Sequence, residues 1–168
     1  VRLRLDSRRR LSITAVLVAL LSLAGVITTT QAAQAAAPQI LTFANKCVDV
    51  AGGGTADGTL IRQWTCNGTV SQQFSIVSIG SGLVNIKTFA NKCADVAGGQ
   101  TGDGTLIREW TCNGTVSQQF SIVPLGNGFS LIKTFASKCW DVRGANTADG
   151  IQIDEWTCNN TVAQNFVV

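Results

Sequence analysis

The chain has 168 residues, with 13 Lys or Arg against 10 Asp or Glu, six Cys and no His. Without an imidazole it has neither a serine or cysteine nucleophile activated by His nor a His-based zinc site. Arg2, Arg4, Arg8, Arg9 and Arg10 precede residue 11 with only Asp6 against them, which leaves 8 basic and 9 acidic groups in the remainder, and a nucleic-acid partner loses its electrostatic basis.

The basic start leads into an apolar run over residues 13–27, then Thr28, Thr29, Thr30 and a small-residue stretch ending at Ala37. This three-part form predicts a secretory signal peptide over residues 1–35, cleaved after Ala33-Gln34-Ala35. Fifteen apolar residues fall short of the roughly 20 that a spanning helix needs, so removal is expected rather than stable membrane insertion. Residues 36–168 are expected to form one domain with a single core.

Within that domain Cys47, Cys93 and Cys139 are 46 residues apart, and so are Cys66, Cys112 and Cys158. Residues 43–77 and 89–123 differ at only four of 35 positions: Val48/Ala94, Gly54/Gln100, Ala56/Gly102 and Gln63/Glu109. The third copy drifts at Trp140, Arg143, Asp154 and Ala163. Each unit reads as short strands divided by turn chemistry. In the first, residues 40–43, 47–50, 59–66 and 72–77 are extended, residues 52–58 form a Gly-rich loop, and Asn67-Gly68-Thr69 turns. The second unit opens on a strand at residues 84–89 after a Gly80-Ser81-Gly82 turn. Four strands in each of three units predict an all-β domain of twelve strands, and three copies favour closure with threefold pseudosymmetry over a propeller.

Of the 15 pairings open to six cysteines the simplest lies within each repeat: Cys47 with Cys66, Cys93 with Cys112, Cys139 with Cys158. Each would close a loop of about 20 residues and contribute about 3 kcal/mol through the unfolded chain. A thiolate metal site would call for close C-x-x-C pairs, so disulfides of an oxidising compartment are expected and no metal or cofactor is. If the paired cysteines face each other across a ribbon, Asp49 lies opposite Trp64, Asp95 opposite Trp110 and Asp141 opposite Trp156. A carboxylate beside an exposed indole suits a sugar, accepting hydroxyl hydrogens while the ring covers a C–H face. Taken singly, Asp in an Asx turn and Trp in a core are the commoner roles. The threefold recurrence favours binding in the first two copies.

Gln72, Gln118 and Gln164 precede Phe74, Phe120 and Phe166 as Gln-x-Phe, and Phe43, Phe89 and Phe135 recur in step; the six phenylalanines are expected to fill a symmetric core. The glutamines have a mixed expectation, bracing backbone or orienting the neighbouring Asp. Asp57-Gly58, Asp103-Gly104 and Asp149-Gly150 read as turns before they read as calcium ligands. The triplets at Asn67, Asn113 and Asn159 match both a tight turn and the glycosylation pattern.

Cys-x-Asp-Val, then Gly and Asp-Gly, then Trp-x-Cys, then Gln-x-Phe, all in triplicate over residues 40–168, resembles the repeat of ricin B-type lectin domains, also met as polysaccharide-binding modules of secreted hydrolases. The resemblance implies a β-trefoil with up to three sugar pockets, each built around the repeat's Asp and aromatic residue, commonly for galactose-type or xylan-type sugars; Gln72, Gln118 and Gln164 are counted with Asp49, Trp64, Asp95, Trp110, Asp141 and Trp156 as candidate binding residues. Gln-x-Phe stands where the family usually has Gln-x-Trp. The position four before the second Cys, often Gln in the family, is Arg62, Arg108 and Asp154; the position before the motif Gln, often Asn, is Ser71, Ser117 and Ala163. Ala163 and the like charges of Asp141 and Asp154 make the third pocket the weakest expectation, while the arginines favour acidic sugars in the first two.

The reading is a secreted, multivalent, non-catalytic carbohydrate-binding protein whose partners are glycans, with a monomer favoured. A trefoil that has lost sugar binding and serves as an inhibitor or protein-interaction module is the alternative. A glycosidase pair such as Asp49 with Glu109 or Glu155 would break the threefold pattern, and both glutamates fall on the strand face away from the tryptophans, so catalysis is not expected.

Overall fold

The computed structural model describes residues 38–168; the expected signal peptide lies outside the described residues. Twelve strands follow in order: β1 (Leu41–Thr42), β2 (Cys47–Val50), β3 (Ile61–Trp64), β4 (Phe74–Gly80), β5 (Leu83–Thr88), β6 (Cys93–Val96), β7 (Thr105–Trp110), β8 (Ser121–Pro124), β9 (Ser130–Lys133), β10 (Cys139–Val142), β11 (Ile153–Trp156) and β12 (Phe166–Val167). Among the described residues no helix is long and apolar enough to cross a membrane.

Six of these strands close a ring. β1 pairs with β12, β12 with β9, β9 with β8 and β4 with β5. Its seams recur every 46 residues. Phe166 lies opposite Ser130, Phe120 bridges Val84, and the Phe74 N–H donates to the Pro38 carbonyl at 3.2 Å. The other six strands form the hairpins β2–β3, β6–β7 and β10–β11, which meet through Leu60 with Arg108, Arg62 with Gln152, and Asp154 with Leu106. A closed six-strand ring carrying three hairpins in threefold array is the β-trefoil.

The repeat also builds the core. Ile40, Ile86 and Ile132, Val50, Val96 and Val142, Ile61, Ile107 and Ile153, and Phe74, Phe120 and Phe166 are all buried, one residue of each set per repeat. Phe43, Phe89 and Phe135 pack against that cluster from its edge and remain partly accessible. One set is unequal: Val48, Ala94 and Trp140. Trp140 is fully buried between Phe120 and Phe166, edge to face at centroid distances of 5.5 and 6.1 Å, so one large ring fills space that a smaller side chain in the same place leaves in the other repeats.

The three disulfides join Cys47 to Cys66, Cys93 to Cys112 and Cys139 to Cys158, as the simplest pairing predicts. The strand register corrects one expectation. Cys47 lies opposite Trp64 and Asp49 opposite Arg62, two residues from the register in which Cys47 faces Cys66. The same holds for Asp95 with Arg108 and for Asp141 with Asp154. The second cysteine of each pair lies beyond the end of its strand, so the bridge ties strand to loop. A slip of two keeps every side chain on its face, and Asp49 still shares a face with Trp64, now diagonally.

On the opposite face, Gln63 is wholly buried and its amide donates to the carbonyls of Asn146 and Ala148 at 2.7 and 2.9 Å, while its oxygen accepts from Thr42. Glu109 and Glu155 take the same place in the other repeats, equally buried, with neither carboxyl oxygen hydrogen-bonded among the described residues. Burial pushes both carboxyls upward, opposed in part by Thr88 and Lys92 around Glu109 and by Thr134 and Lys138 around Glu155. An acid held above its unfolded pKa binds more protons folded than unfolded. Its contribution is full below the unfolded value and is lost as pH rises through the folded one. The double variant Glu109→Gln/Glu155→Gln is therefore expected to be more stable at neutral pH by about 1–3 kcal/mol per site. Denaturant titrations from pH 5 to 9 should show the native protein losing stability with rising pH and the variant losing less; parallel pH profiles would contradict this.

Candidate functional site: three pockets on the hairpin face

Each repeat carries one pocket of the same construction. The first, of about 340 Å³, is lined by Asp49, Gly52, Arg62, Trp64, Asn67 and Ser71, among others; the second, of about 320 Å³, has the matching residues of its repeat. The third, also about 320 Å³, is lined by Asp141, Arg143, Asp154, Trp156, Asn159 and Ala163 with their neighbours. The Asp comes from the first strand of the hairpin, the Trp ends the second, and a 3-10 turn before the next strand forms the far wall. Gly52 and Gly98 take φ of +65° and +66° at the mouth, where a side chain would be strained.

In the first two pockets the carboxylate is almost enclosed. Asp49 accepts from Arg62 Nε at 3.0 Å on one oxygen and from Ser71 Oγ at 2.9 Å on the other. Asp95 accepts from Arg108 Nε at 3.2 Å and Ser117 Oγ at 2.9 Å, with Gln118 Nε2 at 3.3 Å. Each guanidinium also lies over the neighbouring indole, 4.2 Å from the Trp64 centroid and 4.1 Å from that of Trp110.

The third pocket rearranges the same charges. Asp154 stands where the others have arginine, and Arg143 stands where they have Ala51 and Ala97. Arg143 Nε donates to Asp154 at 2.9 Å, so the arginine lost from the strand returns from the adjoining 3-10 turn. Asp141 accepts from Gln164 Nε2 at 3.0 Å, and Ala163 offers no hydroxyl. Burial raises the pKa of both carboxyls, Gln164 opposing it at Asp141 and Arg143 opposing it at Asp154. Among the described residues no cation is stacked on Trp156, which is 43 % exposed.

The motif glutamines are fully buried and line none of these pockets. Gln72 accepts from the Asn67 N–H at 2.9 Å and donates to the Thr65 carbonyl at 3.0 Å; Gln118 and Gln164 repeat this at Asn113 with Thr111 and at Asn159 with Thr157. They brace the pocket wall and, in the second and third repeats, also hold the Asp. Asn67, Asn113 and Asn159 use their side-chain oxygens to hold the Thr two residues on.

The Asp-Gly turns do more than reverse the chain. Asp57 accepts from the Thr111 N–H and hydroxyl and pairs with Lys92; Asp103 does so with Thr157 and Lys138, and Asp149 with Thr65 and Lys46. Each turn thus locks onto the next repeat, directly after that repeat's pocket tryptophan. The turn lies beside the indole, and it is the backbone that calls for glycine: Gly58, Gly104 and Gly150 take φ of +92°, +84° and +84°, whereas a β-carbon on Gly150 would meet Trp64 at an ordinary contact distance of 3.6 Å. The lysine holds each of these carboxyls below the usual carboxylate range.

Sequence reasoning did not find this lock, Arg143 as a pocket residue, or the exposed Val70, Val116 and Val162 beside the motif. Their recurrence was the available signal for the lock and the valines. Replacing Asp149 by Ala is expected to free the Thr65 amide and speed its hydrogen exchange by about tenfold or more while leaving the Thr111 amide, held by Asp57, protected. Equal exchange at Thr65 in both proteins would contradict the lock.

The sequence matches the ricin-type beta-trefoil lectin domain family over residues 39–166. No curated protein matches it. Among solved structures it is similar to the designed threefold-symmetric protein ThreeFoil, at 27 % identity and a TM-score of 0.74, over 76 % of this chain and 94 % of that one. It is also similar to part of an exo-β-1,3-galactanase from Clostridium thermocellum, at 29 % identity and a TM-score of 0.74, over 76 % of this chain and 28 % of the galactanase. The Rhizoctonia solani agglutinin shares the fold at 18 % identity and a TM-score of 0.68, over 76 % of this chain and 89 % of that one. Three tandem pockets on a trefoil, matched to the family over nearly the whole described chain, place this protein in the ricin-type beta-trefoil lectin domain family.

Proposed function

We propose that the protein is a secreted, non-catalytic lectin that binds galactose-type or xylan-type glycans through the pockets built on Asp49 and Trp64, Asp95 and Trp110, and Asp141 and Trp156. The observation that carries this reading is the threefold pocket in which an indole and a carboxylate share one strand face. An indole covers the C–H face of a pyranose while polar groups at its edge take the hydroxyls, with an arginine sharing the ring face at Trp64 and Trp110. The similarity to part of a galactanase favours a galactan among the candidates. Repetition on one rigid body adds weak single sites into useful avidity on a polymer.

Glu109 and Glu155 are sealed beneath the hairpins, away from the pockets, which supports a role in binding rather than in glycoside cleavage. The oxidised full chain is expected to bind immobilised galactan or xylan saturably. A variant with Trp64, Trp110 and Trp156 all changed to Ala should lose that binding while keeping its circular dichroism and a cooperative melt. Unchanged binding by the folded variant would place the site elsewhere. Capture of a protein but of no glycan by the native chain would favour an interaction module instead.

A further inference from the structure

The pockets fall into two kinds according to what the arginine does. Arg62 and Arg108 engage protein only through Nε, at 3.0 and 3.2 Å from their aspartates, and their η nitrogens have no protein partner among the described residues. Arg143 instead spends its η nitrogens on Gln152 Oε1 at 3.1 Å and the Gly104 carbonyl at 3.3 Å. The first two guanidinium groups lie over Trp64 and Trp110, while Trp156 bears none among the described residues.

A neutral pyranose entering the first or second pocket meets a cation on the ring face where its C–H groups would stack. The carboxylate beneath is nearly sealed, its side chain only 5 % exposed, with both oxygens already holding donors. An anionic group meets the opposite situation. Stacking on the indole and the ion pair through Nε fix the guanidinium plane in advance, so the free N–H groups present a fork to a carboxylate or sulfate at little further entropic cost. The Arg–Asp pair is neutral as a whole. Recognition therefore rests on directed donors rather than on net charge.

We propose that the first and second pockets bind an anionic sugar, a uronate or a sulfated residue, through the η nitrogens of Arg62 and Arg108, and that the third pocket is left for a neutral sugar stacked on Trp156. This rests on the lectin reading and names the ligand class of two of its sites. The test measures binding of the full chain to polygalacturonan, to a sulfated galactan and to neutral galactan. Its comparison is the double variant Arg62→Gln/Arg108→Gln, which restores the side chain common in the family.

The native chain is expected to bind neutral galactan and at least one acidic polymer, the two acidic arms separating carboxylate from sulfate recognition. The variant should lose about tenfold or more of the acidic affinity, so that the ratio of acidic to neutral affinity falls by at least that factor. Should the glutamine variant not fold, Arg62→Lys/Arg108→Lys keeps the charge without the planar fork, and it too should lower acidic binding. Acidic binding unaffected by a folded double variant overturns the proposal. So does native binding to neutral galactan alone, which leaves the lectin reading intact, whereas binding to none of the three and not to xylan either overturns both.

Discussion

The lock between repeats is the interaction on which the rest of the structure depends. One 46-residue unit exposes the apolar side of its strands and cannot bury it alone. Three units bury it together only if each holds the next in register; backbone bridges between hairpins do this, and the carboxylates of Asp57, Asp103 and Asp149 add to it by reaching across to a backbone N–H, a hydroxyl and a lysine of the following repeat. The same contact sets the pocket. The threonine that it fixes directly follows the pocket tryptophan, and the turn that carries it lies against that indole. Fold closure and pocket geometry are thus one arrangement.

Symmetry makes the departures informative, because each repeat is a control for the other two. A buried Gln63 that satisfies two carbonyls shows what Glu109 and Glu155 lack. Trp140 shows how a core takes up uneven volumes without losing its outline. In the third pocket Arg143 and Asp154 exchange the positions of charge, yet an arginine–aspartate pair survives at 2.9 Å. What changes is which ring is covered, and therefore what each pocket presents to a ligand.

Much of this was legible in the sequence. The spacing of Cys47, Cys93 and Cys139 with Cys66, Cys112 and Cys158 led to the disulfides, the twelve strands and the ring of three. The register differs by two residues from the one in which paired cysteines face each other, because a disulfide need not join directly opposed positions: Cys66 sits past the strand end and reaches back. Contacts between repeats were hidden for a different reason. Asp57 and Thr111 are 54 residues apart, and no local pattern distinguishes a carboxylate that finishes a turn from one that also holds the next repeat. Arg143 stood out as a departure, but its place in the pocket depends on a 3-10 turn that propensity does not reveal.

The central claim is that ligands meet the protein on the three hairpin-end indoles and not elsewhere. The chain has four tryptophans, and their indole N–H resonances provide one probe per pocket plus Trp140 in the core as an internal reference. Titrating the isotopically labelled protein with galactan and acidic oligosaccharides should move resonances of Trp64, Trp110 and Trp156 while that of Trp140 stays fixed. Saturable binding with all three pocket indoles unmoved would contradict the account.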